Sequence, residues 1–418
     1  MLKLKEKLIN ELKPGEKVRV SGWVHRIRVL GKLAFVLLKD STGIIQLVFE
    51  KKRLNNFQEL KVINREDSLF VYGTVIKNEK APGGKEILVE DFKIVSKAKH
   101  PLPLDTDEKT LANLDTRLDY RFLDLRKPNI TKIFRIRSEI IQGFREFLLK
   151  KGFVEVNTPK IIAAATEGGA ELFPIVYYDK EAYLGQSPQL YKQMLISSLE
   201  RIFEIGPAFR AEKSHTTRHL SEFTSFDIEA AFFDDDEIIN LEKEMITYAL
   251  KKVGMDDLAT FKTITYEKAL EILRDIGINI EYGEDLSTEA EKKIGDYFLN
   301  EGVNFVFITK WPFSARPFYV YRERDNLERT RGFDLLFKGL EITSGGQREH
   351  NYEQLIRNIE EEGMNPESFS FYLESFKYGV PPHSGFGLGV ERFIKQLFDL
   401  ENIREAALFP RDPERLIP

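Results

Sequence analysis

AFRAEKSHTTRHLSEFTSFDIE, residues 208–229, joins two segments that read as β-strands through a loop crowded with charge. Arg210, Glu212, Arg218, His219, Glu222 and Asp227 fall within eighteen positions, interleaved with Phe209, Phe223 and Phe226. Side chains alternate along a strand, so Arg210 and Glu212 share one face, and Phe223 and Asp227 share one face. An aromatic ring beside two guanidinium groups suits a nucleotide, with the ring against the base and the guanidinium forks on phosphates. The same charges also describe a solvated hairpin laced with cross-strand ion pairs.

The rest of the chain narrows the choice. Its 418 residues suffice for two or three domains, and 42% apolar with 31% charged residues indicates a globular protein. No apolar run is long enough to span a membrane, and MLKLKEKLINELKPGEK lacks the apolar core of a secretory signal, so a cytoplasmic location is expected. Cysteine is absent, which excludes disulfides, thiolate zinc sites and thiol catalysis. The net charge of −5 is unevenly spread. Residues 1–100 hold 21 Lys+Arg against 12 Asp+Glu, leaving 41 against 55 for the remainder. A basic module on an acidic body points to a polyanionic partner.

Residues 1–100 read as five short strands with turns at Gly31, Gly43 and Pro82-Gly83-Gly84, the pattern of a small OB-type barrel. The Pro- and Asp-rich residues 101–130 read as a hinge or linker. From 131 onward helical and strand periodicities alternate, which predicts an α+β body whose large antiparallel sheet carries flanking helices. Residues 235–300 are mostly helical and charged and read as a peripheral insertion.

Three further clusters accompany the opening loop. Gly385-Phe386-Gly387-Leu388-Gly389 has no third glycine at the spacing of a dinucleotide loop, and no βαβ unit opens there. Its glycines instead let the backbone approach a flat ligand, at which Arg392, one turn into the following helix, can also point. Gln186-Ser187-Pro188-Gln189-Leu190-Tyr191-Lys192-Gln193 opens a helix with Gln189 and Lys192 on one side. Glu341 and Ser344 offer hard oxygens of the kind Mg²⁺ takes beside phosphates.

Together these clusters resemble the class II aminoacyl-tRNA synthetases. Pro159 after a long helix resembles motif 1, Phe209-Arg210-Ala211-Glu212 motif 2, and Gly387-Leu388-Gly389-Val390-Glu391-Arg392 motif 3. With the N-terminal barrel they place the chain near subclass IIb, whose members handle aspartate, asparagine and lysine. GQSPQLYKQ (185–193) resembles the aspartyl branch, and the tail Phe409–Pro413 its archaeal and eukaryotic type.

The resemblance implies ATP-dependent formation of aspartyl-adenylate, then transfer of aspartate to tRNA-Asp. Phe223 and Arg392 would sandwich adenine, Arg210 hold the α-phosphate, and Arg218 with His219 the γ-phosphate. Glu212 and Gly389 would complete the ATP site, with Mg²⁺ on Glu341 and Ser344. Lys192 and Arg348 would grip the aspartate side chain, Gln189 and Asp227 its ammonium group, and Glu167 would close over it. Ser344 would also face the amino acid. In the barrel, Phe35 would stack an anticodon base, Gln46 read its edge, and Arg26 and Arg28 hold the backbone. His25 and Pro82 lean towards tRNA-Asp alone, against a kind that also charges tRNA-Asn. Motif 1 with Pro159 implies a homodimer. Lys213, Ser214, His215 and Thr216 would meet the tRNA acceptor end.

Overall fold

The computed structural model describes residues 6–110, 112–163, 172–212 and 216–418. They form two compact units, Met1–Lys132 and Ile133–Pro418.

In the first unit, β1 (Lys17–Leu30), β2 (Leu33–Lys39), β3 (Ile44–Glu50), β4 (Ser68–Lys77) and β5 (Lys85–Ser96) close a barrel in the order β1-β2-β3-β5-β4. All neighbours are antiparallel except β3 and β5. Alternation along β2 sends Ala34, Val36 and Leu38 into the core and leaves Phe35 and Leu37 outside. Residues 101–130 are not a free linker. They belong to this unit and carry α1 (Leu114–Asp119) and α2 (Arg121–Asp124). Their Pro and Asp content breaks periodicity, but their polar side chains satisfy buried groups. Thr106 and Arg126 donate to Glu66, which also holds Lys39. Arg121 and Asp124 form a fully buried pair at 2.9 Å.

The second unit follows from α3 (Pro128–Lys150) to β6 (Val154–Glu155) and a small sheet of β7 (Ile161–Ile162), β8 (Pro174–Tyr177) and β9 (Lys180–Leu184). Then come α4 (Gln189–Leu199), the hairpin β10 (Arg201–Phe209) and β11 (Glu222–Ala231), α5 (Asp235–Lys252), β12 (Phe261–Thr265), α6 (Tyr266–Asp275) and α7 (Thr288–Leu299). After β13 (Phe305–Thr309), the hairpin β14 (Arg322–Glu323) and β15 (Asn326–Thr330) leads to β16 (Gly332–Phe337) and β17 (Leu340–Arg348). The chain ends with α8 (Tyr352–Glu361), α9 (Ser370–Phe376), β18 (His383–Gly389) and α10 (Val390–Leu397).

Eight strands build the main sheet in the order β12-β13-β16-β17-β18-β11-β10-β6, antiparallel except for the pair at each end. One face is core. Phe226, Ile228 and Ala230 of β11 and Phe386 and Leu388 of β18 pack with Phe144 of α3, Met245 of α5 and Phe393 of α10. The alternate residues, including Ser225, Asp227 and Gly387, line a cavity on the opposite face.

The segment 235–300 is therefore not peripheral. Its charge hides a helical apolar stripe, so that Ile238, Met245 and Ala249 of α5 lie in the main core. α6 and α7 form a second core against β13 with Tyr266, Leu273 and Ile294.

β17 contains a bulge. Thr343 pairs with Leu335 and Glu341 with Leu336, so Ile342 is an extra residue opposite β16. In an unbulged strand of the same length Glu341 and Ser344, three apart, would face opposite sides of the sheet; the bulge brings both to the cavity.

Candidate active site

The cavity holds about 300 Å³. Arg210, Glu212, Arg218, His219, Phe223, Asp227, Gln189, Glu341, Ser344, Arg348, Gly389 and Arg392 all line it, as their motifs led one to expect. Glu167 and the loop residues Lys213, Ser214 and His215 lie outside the described residues.

β10 and β11 present Arg210 and Phe223 together, the guanidinium 5.6 Å from the ring centroid. Arg392, on the first turn of α10, donates to the Glu341 carbonyl at 3.0 Å and lies 3.4 Å from its carboxylate. Burial, then the charges of Arg392, Arg218 and Arg210, push the His219 imidazole down to about 4. It is neutral at pH 7, so its 3.3 Å approach to Glu212 is not an ion pair. Nδ1 of His219 also meets the Thr216 hydroxyl at 2.7 Å.

The floor is a buried charge network. Lys192 lies behind the cavity wall rather than at it. Its ammonium donates to Asp227 Oδ1 at 3.1 Å and to the Phe386 carbonyl at 3.3 Å, and lies 3.3 Å from Glu229. The ammonium expected to grip a ligand carboxylate is thus taken up by protein groups behind the wall. Arg348 does line the cavity, with Nε bound to Glu229 Oε1 at 3.0 Å and no partner for its terminal nitrogens among the described residues. Burial opposes ionisation of Glu229, but Arg348 and Lys192 hold its carboxyl below the ordinary value. Gly385 is required here, because a Cβ would stand 2.2 Å from Glu229 Oε2.

Several members of the site were missed from the sequence. Arg316 is bidentate on Asp334, with Nη1 to Oδ1 at 2.8 Å, stacks 3.9 Å from the Trp311 centroid, and donates to Ser344 Oγ at 3.2 Å. Burial pushes Asp334 up to about 6, and the Arg316 fork keeps it ionised at neutral pH. A lone aspartate in the apolar strand GFDLLF was the available signal. From the segment taken as an insertion, Asp285 lines the cavity and Glu291 of α7 pairs with Arg218. Burial, then the Glu341 charge, push Glu291 up to about 7 against the pull of Arg218.

Among the described residues no three His, Cys, Asp or Glu side chains converge on one metal position. Glu341 and Ser344 supply two oxygens, which suits a divalent ion completed by phosphate and water.

In the first unit, strand register places Arg28 opposite Phe35 and Phe35 opposite Val48, and Arg26 opposite Leu37 and Leu37 opposite Gln46. Paired residues share a face, so Arg26, Arg28, Phe35 and Gln46 form one outward patch. Arg26 is tied to Asp107 at 2.6 Å and Gln46 donates to Glu86 at 2.6 Å. His25 sits at a register shift in β1 with Nδ1 buried and without a partner among the described residues, and Pro82 lies in the β4–β5 loop.

A barrel with an outward aromatic–basic patch and a cavity lined by five arginines among the described residues narrow the comparison. A family profile described as tRNA synthetases class II (D, K and N) matches residues 113–413, and one described as OB-fold nucleic acid binding domain matches residues 18–95. The chain belongs to the class II tRNA synthetases. This synthetase is 49% identical to the aspartate–tRNA(Asp/Asn) ligase of Methanocaldococcus jannaschii, over 98% of this chain and 97% of the relative. It is 48% identical to the aspartate–tRNA(Asp) ligase of Pyrococcus abyssi, over 98% of each. Among solved structures, the asparaginyl-tRNA synthetase of Pyrococcus horikoshii with asparaginyl-adenylate superposes with a TM-score of 0.93 at 38% identity, covering 99% of this chain and 100% of that one. No helix among the described residues is long and apolar enough to cross a membrane.

Proposed function

We propose that this synthetase is an aspartate–tRNA ligase, activating L-aspartate with ATP and passing it to tRNA-Asp. The observation that carries the reading is Arg348. A buried guanidinium clamped by Glu229 through Nε leaves a two-pronged donor facing the cavity, which matches a carboxylate and not an amide.

In this reading Arg210 binds the α-phosphate, Arg218 and neutral His219 the γ-phosphate, and Phe223 and Arg392 flank adenine. Asp227 and Gln189 hold the α-ammonium group. The α-carboxylate, already ionised, attacks the α-phosphorus; the bond to the bridging oxygen breaks and pyrophosphate leaves. No protein base is required, and the residues act by positioning and by neutralising charge on the phosphates. Glu341 and Ser344 would hold Mg²⁺ beside the phosphates, where it would supply further charge neutralisation. The terminal ribose hydroxyl of the tRNA then attacks the aspartyl carbonyl and releases AMP. The outward patch of Phe35, Gln46, Arg26 and Arg28 takes the anticodon, where unstacked bases lie on aromatic rings. The exposed segment around Pro159, beside the edge strand β6, forms the contact of a homodimer acting in the cytoplasm.

The likeness to an asparaginyl enzyme at TM-score 0.93 keeps asparagine as the second reading. Pyrophosphate exchange with each amino acid separates the two: aspartate is expected to drive it, and exchange driven by asparagine instead would overturn the proposal. His25 and Pro82 favour tRNA-Asp alone. Efficient charging of a tRNA-Asn transcript would place the enzyme with the relatives named for both tRNAs.

A further inference from the structure

A hydrogen-bonded chain runs from the backbone of the segment before β18 to the wall of the cavity, through residues that have no role so far. The Pro381 carbonyl lies 2.7 Å from His383 Nδ1. His383 Nε2 lies 3.0 Å from Gln193 Nε2. Gln193 Oε1 accepts from Gln189 Nε2 at 2.9 Å and from the Tyr372 hydroxyl at 3.3 Å. Gln193, His383 and Tyr372 are fully buried, and Gln189 is the member that reaches the cavity.

The direction of every bond in this chain is set at one end. A carbonyl oxygen can only accept, so Nδ1 of His383 carries the proton. The neutral ring then has a bare Nε2, which can only accept. Gln193 must turn its amide nitrogen to the histidine and its oxygen to Gln189. Gln189 must in turn give its nitrogen to Gln193, which leaves its Oε1 with no partner among the described residues. That oxygen is the one atom of the chain able to accept from a cationic ligand.

We infer that His383 and Gln193 are positioning residues that lock the Gln189 amide with its oxygen towards the cavity, so that the site selects ligands bearing an ammonium group. This rests on the amino-acid-activating reading above and adds the element that fixes the polarity of the ammonium subsite. If Gln189 were free to rotate its amide, half of its orientations would present an N–H donor to the ammonium and repel it. Burial pushes the His383 imidazole down to about 4, against the pull of Glu229, so the neutral ring that the chain requires is the form present at neutral pH.

The test compares binding of L-aspartate with that of succinate, which keeps both carboxylates and lacks the amine, by calorimetry on the full chain. Wild type is expected to prefer aspartate. His383→Phe, close in volume but without ring nitrogens, is expected to cut the aspartate-to-succinate affinity ratio at least tenfold and to leave ATP affinity unchanged. His383→Gln, whose Oε1 can stand at the Nε2 position and accept the same N–H, is expected to restore the ratio to within threefold of wild type. A purely structural role would lower the folded fraction or weaken both ligands equally, and a folded His383→Phe protein with an unchanged ratio overturns the inference. Should His383→Phe fail to fold, Gln193→Met removes the relay at its centre and carries the same expectation. A wild type with no aspartate-dependent exchange and no preference over succinate refutes the functional reading itself. A wild type with both, beside a His383→Phe protein that keeps the ratio, refutes only the relay.

Discussion

Each unit buries a carboxylate between a lysine and an arginine, and the two clusters end differently. In the barrel unit, Glu66 takes Lys39 and Thr106 on one oxygen and Arg126 on the other. Burial opposes its ionisation, but these donors hold the carboxyl below its ordinary value. Under the cavity, Glu229 takes Arg348 through Nε and sits beside Lys192, yet the outer end of Arg348 is unmatched among the described residues. A buried charge without a partner is costly, so an incomplete cluster persists where a ligand completes it. The closed cluster pins α1, α2 and their loop to the barrel; the open one faces the cavity.

Four experiments can break or sharpen this contrast. The largest effect is expected from Glu66→Ala, which leaves Lys39 buried without its carboxylate and should destabilise the first unit by about 3–5 kcal/mol. Chemical denaturation measures it, and aspartate-dependent exchange per folded molecule should stay at the wild-type level. Arg348→Lys keeps the charge and loses the fork. Exchange kinetics should then show kcat/KM for aspartate falling by about 10²–10³-fold, the scale for removing one aimed donor, with KM for ATP unaltered. If Arg348→Lys cost only stability, the two clusters would be of one kind.

The next effect is smaller and tests the outward face of the barrel. Phe35→Ala should weaken tRNA binding by about 1–3 kcal/mol, the scale of one stacked base, seen as a raised KM for tRNA with exchange intact. The smallest concerns Glu242 of α5, fully buried, whose Oε1 accepts from Thr343 at 2.7 Å. Burial pushes its pKa up to about 8 from 4.5. Between those values the folded protein takes up a proton that the unfolded chain lacks, so this group's contribution to stability falls as pH rises from 5 to 8. Glu242→Gln should therefore be the more stable form at pH 9 in denaturation, with little difference at pH 5.

The alternation in FTSFDIE was enough to separate Phe223 and Asp227 from Phe226 and Ile228, because a strand with one buried face shows its register in its sequence. The glycines before Arg392 were legible for a similar reason, since close approach requires them. Lys192 was assigned to the cavity surface because helical spacing gives its side of α4 but not the depth of its ammonium group behind β11 and β18. Asp285, Glu291 and Arg316 escaped notice because they come from a charged helical segment and an irregular one. Glu291 meets Arg218 and the Glu341 backbone N–H, and Arg316 meets Asp334, pairings outside the reach of local periodicity. Polar composition suggests exposure for both 101–130 and 235–300, but the polar groups of the first meet buried partners, and the charge of the second hides an apolar stripe.

The extra residue in β17 has a consequence for how this enzyme can change. Substituting Ile342 by another apolar residue would alter packing and little else. Deleting it would leave Glu341 and Ser344 two apart on a regular strand, still on one face, but would remove the bend and extra twist that the bulge gives β17. Flattening the bulge at unchanged length would do the opposite, turning Glu341 towards the helices while Ser344 stayed in place. What this stretch holds fixed is therefore the match between its residue count and its pairing, and not the identity of residue 342.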